Sequence, residues 1–339
     1  MPDIMVPEPP VLRVDDLTVR FRRRGGEVAA VNGVSFALAR GETLTILGES
    51  GSGKSVSLKA LMGLLPDYAQ VDGQVALDGR DILELPPAEL AKLRGGAISM
   101  IFQEPMAALD AVYTIGEQIA ETIVQHEGVG RRAAMQRALD LLDHVKIPSA
   151  ARRLKNYPHE LSGGMRQRAM IALALACSPS VLLADEPTTA LDVSVQIQIL
   201  LLLRQLQQEL GMAIVFVTHD VGAAAEISDR IAVMYAGRFV ETATTREIMR
   251  TPRHPYTQGL LASTVHGGLR GRVLETIPGA PPNLAQVPPG CAFAPRCRYA
   301  IDICTRGNVP VFTSTTGAMV RCVRGVVPNP TQASNEVSA

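Results

Sequence analysis

The sequence has no surplus of charge: its 339 residues carry 33 Lys plus Arg against 33 Asp plus Glu. Neither nucleic acid nor an anionic membrane is therefore attracted by the chain as a whole, and partners must be recognised locally. It also lacks a long apolar run. MIALALAC and ILLLL are the longest, well short of the roughly 18 residues that cross a bilayer. The opening MPDIMVPEPPVLRV shows no basic stretch followed by an apolar one, so a soluble, cytoplasmic chain is expected. Cysteine is scarce at five, and four of the five fall after residue 290. In a reducing compartment such clustering points to metal ligands or free thiols rather than disulfides. Cys177, alone in IALALAC, reads as a small buried hydrophobe.

Apart from this scarcity, 47% of the residues are hydrophobic, enough for a full-sized core in one large domain or two. VLRVDDLTVRF alternates as a strand does, VSFALARGETLTILG continues as strands through a glycine-containing turn, and SGSGKSVSLKALMGLL turns helical. The apolar runs SVLLADEP and AIVFVTHD read as buried strands, with the helical VSVQIQILLLLRQLQQELG between them. This alternation gives βαβ units and a mainly parallel sheet. GEQIAETIVQH and RRAAMQRALDLLDHV predict a helical insertion. The division expected is a nucleotide-binding domain over 1–264, with a helical subdomain at about 104–165, and a Pro-rich extension over 265–339. IPGAPPNLAQVPPG, with five prolines, reads as an extended linker, and the last residues as frayed.

GESGSGKS at 48–55 has the spacing G-x-x-x-x-G-K-S between a strand and a helix. Gly48, Gly51 and Gly53, with Ser50, let backbone N–H groups wrap phosphates at the positive end of the following helix. Lys54 can reach the β- and γ-phosphates, and the Ser55 hydroxyl can ligate Mg2+. The alternative is a chance Gly/Ser-rich turn. VLLADE at 181–186 ends a strand with Asp185, placed to hold the magnesium shell, and Glu186, which can orient an attacking water and take its proton. Standing alone, that pair would read as a salt-bridged strand end.

LSGGMRQR at 161–168 lies between these two motifs, and in that order the three resemble the ATP-binding cassette (ABC) family. The resemblance implies an α/β P-loop ATPase fold with a parallel-sheet core, an N-terminal antiparallel β subdomain and a helical signature subdomain. It implies a Q-loop glutamine at Gln103 that also faces Mg2+, a D-loop aspartate at Asp192, a switch histidine at His219 and an adenine-stacking ring at Phe21. The arginines at 22–24 read instead as a solvated turn. It further implies that Ser162, Gly163 and Gly164 contact the nucleotide of a second subunit, so that the chain works as half of a pair.

The Q-loop context, the variant LSGGMRQRAMIA and the tail from TPRHPYTQGLLAS to CRYAIDIC narrow this resemblance to the ATPase subunits of bacterial dipeptide and oligopeptide importers. Membership there implies a peripheral protein on the cytoplasmic face of the inner membrane. Its expected partners are a second, homologous ATPase subunit, giving a heterodimer, two transmembrane permease subunits and, indirectly, a substrate-binding protein. Residues 104–125 would lie near the groove for a permease helix. The chain departs from the family's Leu-Asn-Pro step there, reading Leu109-Asp110-Ala111. The other reading, a soluble ABC ATPase acting on nucleic acid with a cysteine metal site, is disfavoured by the single P-loop, the 57 positions separating Gln103 from the signature and the absence of basic charge.

Cys291, Cys297, Cys304 and Cys322 are spaced x5, x6 and x17, unlike compact zinc knuckles, yet they supply the four thiolates that zinc or a 4Fe–4S cluster takes. Five arginines against Asp302 alone over 290–325 would offset thiolate charge. The importer resemblance favours the 4Fe–4S cluster, beside ATP and Mg2+. Zinc and unmetallated, packed cysteines remain the alternatives.

Overall fold

The structure is a computed structural model, describing residues 9–23, 26–264, 276–315 and 317–325. The first residues of the extension, 265–275, and the frayed end expected at the C-terminus lie outside the described residues.

The N-terminal strands β1 (Leu12–Arg23) and β2 (Gly26–Leu38) form a long antiparallel hairpin. β1 and β2 are followed by β3 (Thr43–Leu47) and α1 (Lys54–Leu61), then β4 (Ala69–Leu77), β5 (Arg80–Asp81) and α2 (Pro87–Leu93). Among the described residues one sheet has the order β2-β1-β4-β5, the antiparallel subdomain expected from the resemblance.

β6 (Ile98–Ile101) leads into the helical insertion, α3 (Pro105–Ala108), α4 (Ile115–Glu127), α5 (Arg131–His144), α6 (Ala150–Arg153) and α7 (Gly163–Ala174). α4 starts cleanly because Thr114 and Glu117 form a capping box, each satisfying the other's backbone N–H. β7 (Val181–Asp185), α8 (Val193–Leu210), β8 (Ala213–Thr218), α9 (Val221–Ile227) and β9 (Arg230–Tyr235) then complete the βαβ units. α8 buries Ile199, Leu202, Leu203 and Leu206, the i, i+3, i+4, i+7 stripe of a helix lying on a sheet.

Every residue of β3, β7 and β8 is buried, as expected of parallel strands covered on both faces. In register, Leu47 pairs Thr218 and Asp185 pairs Val217. The carboxyl ends of three central strands therefore stand side by side, the edge at which open α/β sheets bind ligands.

β10 (Arg238–Thr244), α10 (Thr245–Arg250) and α11 (Pro255–Ala262) come next, and the tail adds β11 (Val311–Thr313) and β12 (Met319–Arg321). The large sheet runs β11-β12-β10-β9-β3-β8-β7-β6 among the described residues. The Pro-rich piece is not a free linker: Leu284–Gln286 makes a short 3-10 turn packed on β2. Nor is the segment after it without core. Phe293, 4% exposed, sits among Tyr235 and Tyr256, with ring centroids 5.3 Å from each. No helix among the described residues is long and apolar enough to cross a membrane.

Candidate nucleotide site

Gly48 follows β3 directly, and the chain wraps back so that α1 begins at Lys54. The Lys54 ammonium is 4% exposed and donates to the carbonyls of Gly48 and Glu49 at 2.8 and 2.9 Å. It lies 3.8 Å from Glu186 Oε1. Burial lowers its pKa, with Glu186, Asp185 and Glu49 pulling the other way.

Ser55 Oγ donates to Asp185 Oδ1 at 2.7 Å. Asp185 is 3% exposed, and burial raises its pKa against the Ser55 hydrogen bond. A carboxylate held out of water beside a neutral hydroxyl is a fitting pair of oxygen donors for Mg2+.

Glu186 departs from the strand with φ 45°, left-handed for a residue that is not glycine. Such a backbone costs about 1–3 kcal/mol and persists where surroundings hold it. Here Thr189 Oγ1 donates to Glu186 Oε2 at 2.8 Å, and His219 Nδ1 lies 3.2 Å from the same oxygen. Asp220 caps α9, accepting from Gly222 N and Ala223 N, while Gln196 of α8 donates to it at 2.7 Å. Thr189 and the Gln196–Asp220 link carry no sequence signal.

A cavity of about 910 Å3 opens over these groups. Ser50, Gly51, Gly53, Lys54 and Ser55 of the glycine-rich loop line it, as do Gln103, Glu186 and His219. Phe21 and Val28, paired across the hairpin, line it as well. Gly48 and Asp185 sit directly behind, through their bonds to Lys54 and Ser55. Ser162, Gly163, Gly164 and Asp192 do not line it. Ser162 instead caps α7 through Met165 N, and Asp192 caps α8 through Val195 N at 2.9 Å. Two walls were not legible in the sequence: Ile277 and Leu284 of the Pro-rich piece line the same cavity.

The four tail cysteines converge on a cavity of about 20 Å3. Burial raises the Cys291 thiol to about 11, and Cys297, Cys322 and Cys304 push it the same way. Cys297 and Cys322 are also raised, chiefly by burial. His254 lines the cavity as a neutral, fully buried ring whose pKa burial lowers to about 3. Its Nδ1 accepts from Tyr256 N, leaving Nε2 as an N–H donor without a partner. Four sulfurs and an orphaned donor suit a thiolate-ligated centre in kind and number. The separations do not: among the described residues no three His, Cys, Asp or Glu stand where they could hold a metal ion. The 4Fe–4S or zinc centre expected from the sequence is therefore not present as a preassembled ligand set among the described residues. Cys177, expected to be buried, is half-buried and packs against the core.

Fold and site together define a P-loop ATPase, with its glycine-rich loop, acidic strand end and His219 at one sheet edge. The sequence profile described as "ABC transporter" matches residues 31–189, and "Oligopeptide/dipeptide transporter, C-terminal region" matches 240–304. Over 316 residues the chain is 48% identical to the oligopeptide transport ATP-binding protein OppD of Salmonella typhimurium, covering 93% of this chain and 94% of that one. It is 48% identical over 298 residues to the dipeptide transport ATP-binding protein DppD of Bacillus subtilis, covering 87% and 89%. A dimeric ATP-binding cassette solved with ADP and Pi in a post-hydrolysis state superposes with a TM-score of 0.63 at 30% identity, over 69% of this chain and 99% of that one. The chain belongs to the ABC transporter family, in its oligopeptide and dipeptide branch, as one of that family's ATPase subunits.

Proposed function

We propose that the chain binds and hydrolyses ATP to drive import of di- or oligopeptides through a membrane transporter. The observation that carries the hydrolytic part is Glu186, held by Thr189 and His219 at the mouth of the phosphate loop. The peptide cargo rests on the OppD and DppD relatives.

In this reading Lys54 and the loop N–H groups bind the β- and γ-phosphates, and Phe21 stacks on the base. Ser55, Asp185 and Gln103 would hold Mg2+, which offsets phosphate charge when bound. Glu186 accepts the proton of the attacking water, and His219 orients its carboxylate. Ser162, Gly163, Gly164 and Asp192, away from this chain's cavity, serve the site of a second ATPase subunit. Val193 and Ile197 of α8, 72% and 49% exposed, favour such a pairing.

For the permease contact, Met106, Val112 and Tyr113 give 43%, 72% and 51% exposed apolar side chains beside α4. The loop at Leu109-Asp110-Ala111, between Met106 and Val112, is held by side-chain hydrogen bonds. Asp110 N donates to Gln118 Oε1, Gln118 Nε2 donates to Asp110 O at 2.9 Å, and Val112 N donates to Asp110 Oδ1. With permease partners, the protein would sit at the cytoplasmic face of the inner membrane.

The domains would divide near residue 264, and the tail thiols Cys291, Cys297, Cys304 and Cys322 would hold a 4Fe–4S cluster, or zinc, once deprotonated. A bound centre would bring the thiolates together and give His254 Nε2–H a sulfur to face. Metal and acid-labile sulfide assays on anaerobically purified protein check this. Near-stoichiometric iron and sulfide lost in Cys291→Ser support the cluster, zinc alone supports the alternative, and neither metal removes the centre.

The transport reading is tested by peptide uptake in vesicles containing the assembled complex. ATP-dependent accumulation of a labelled peptide is expected, and uptake unchanged by Glu186→Gln would refute it.

A further inference from the structure

Arg296 joins the tail to the phosphate loop. Arg296 stands in the short 3-10 turn Ala294–Arg296, between Cys291 and Cys297. Its side chain is 5% exposed and meets Glu49 with two parallel hydrogen bonds, Nη1 to Oε2 at 2.7 Å and Nη2 to Oε1 at 3.0 Å. Nε donates to the Pro278 carbonyl at 2.9 Å, and Nη1 also reaches Tyr235 Oη at 3.3 Å. Few side chains are so fully specified, and Arg's planar fork suits a carboxylate in this geometry.

Glu49 is the residue after Gly48 in the phosphate loop. Its carbonyl accepts from Lys54 Nζ, and its N–H donates to Tyr256 Oη at 2.9 Å. Glu49 is among the residues lining the nucleotide cavity. Left bare, this carboxylate would add negative charge where a triphosphate binds. Capped by Arg296, it becomes a neutral strut between the loop and the tail. Within the same tail, Ile277 and Leu284 line that cavity.

We infer that Arg296 is a positioning residue of the ATPase: it neutralises and fixes Glu49, and through that contact nucleotide affinity depends on the cysteine-lined segment 291–297. This rests on reading 48–55 as the phosphate loop. The contact joins residues 247 apart in sequence, whichever occupant the cysteine cavity takes.

The test measures KM and kcat for ATP, with binding of a fluorescent ATP analogue and thermal midpoints, in the assembled complex. Arg296→Met is expected to raise KM about tenfold with kcat within about threefold, a loss of roughly 1.4 kcal/mol. Adding Glu49→Gln should recover most of that affinity, because the uncapped charge is gone, whereas a merely structural clamp would leave the double variant as weak as the single one. Cys297→Ser should raise KM in the wild-type chain but not further in Arg296→Met. An unchanged KM in Arg296→Met, a double variant without recovery, or full additivity with Cys297→Ser would each overturn the inference. Lys54→Ala separates the premise: it should abolish binding, and if it binds normally the phosphate-loop reading falls and the inference with it. If Arg296→Met does not fold, Arg296→Lys takes its place, a KM raised about threefold sustaining the idea and an unchanged one refuting it.

Discussion

Glu186→Gln is expected to lower ATP turnover of the assembled complex by about 10²- to 10⁴-fold, the usual worth of a positioned general base. Nucleotide binding should survive. The substitution keeps the shape of a side chain that is wedged between Lys54, Thr189 and His219, and removes a negative charge facing the phosphates. A change in kcat without a rise in KM marks an interaction used in the transition state rather than in binding. The measurement is phosphate release under saturating ATP, beside equilibrium binding of an ATP analogue. Turnover within about threefold of wild type would show that another group takes the proton. His219→Ala should cost less than Glu186→Gln if its part is to orient the carboxylate, since Thr189 holds the same Oε2 at 2.8 Å.

The candidate site positions could be picked out because each is tied to local pattern. Five buried residues ending in Asp185, with Glu186 next, specify a strand end, and G-x-x-x-x-G-K-S between a strand and a helix specifies a loop that wraps phosphate. VSVQIQILLLLRQLQQELG was likewise legible as a helix, the α8 of the structure. What escaped were contacts whose partners lie far apart. β11 and β12 are three residues each and gain their place only by pairing, β12 with β10 and β11 with β12, so no alternation betrays them. Arg296 looked like one of several arginines offsetting thiolates, and its bond to Glu49 depends on folding the tail across the sheet edge. The cysteine spacing revealed four possible ligands, but how close they come is set by the packing of the tail, which is a tertiary property.

Gly53→Ala is expected to abolish nucleotide binding, weakening it more than about 100-fold, while Gly51→Ala in the same loop stays within about tenfold of wild type. Gly53 adopts φ 109° as it caps α1, a region that L side chains rarely enter. A Cβ there would lie 2.4 Å from the Ala30 carbonyl oxygen and 3.0 Å from Met234 Cε. The methionine can move, but the oxygen belongs to the backbone of β2, which also pairs with β1 and carries Val28 at the cavity wall. Relief must therefore come from shifting the loop itself. That shift carries the N–H groups and Lys54 away from the phosphates, and overpacking of this kind adds about 1–3 kcal/mol of lost stability. Gly51, at φ 78°, has nothing within 4 Å of the same added atom, so its substitution costs about 1–2 kcal/mol for the left-handed backbone and little else. Binding of a fluorescent ATP analogue to both variants, with their thermal midpoints, distinguishes the two sources. Equal losses would mean that backbone conformation alone governs the loop, and a Gly53→Ala chain that binds normally would show that the close approach to Ala30 is not needed to hold phosphate.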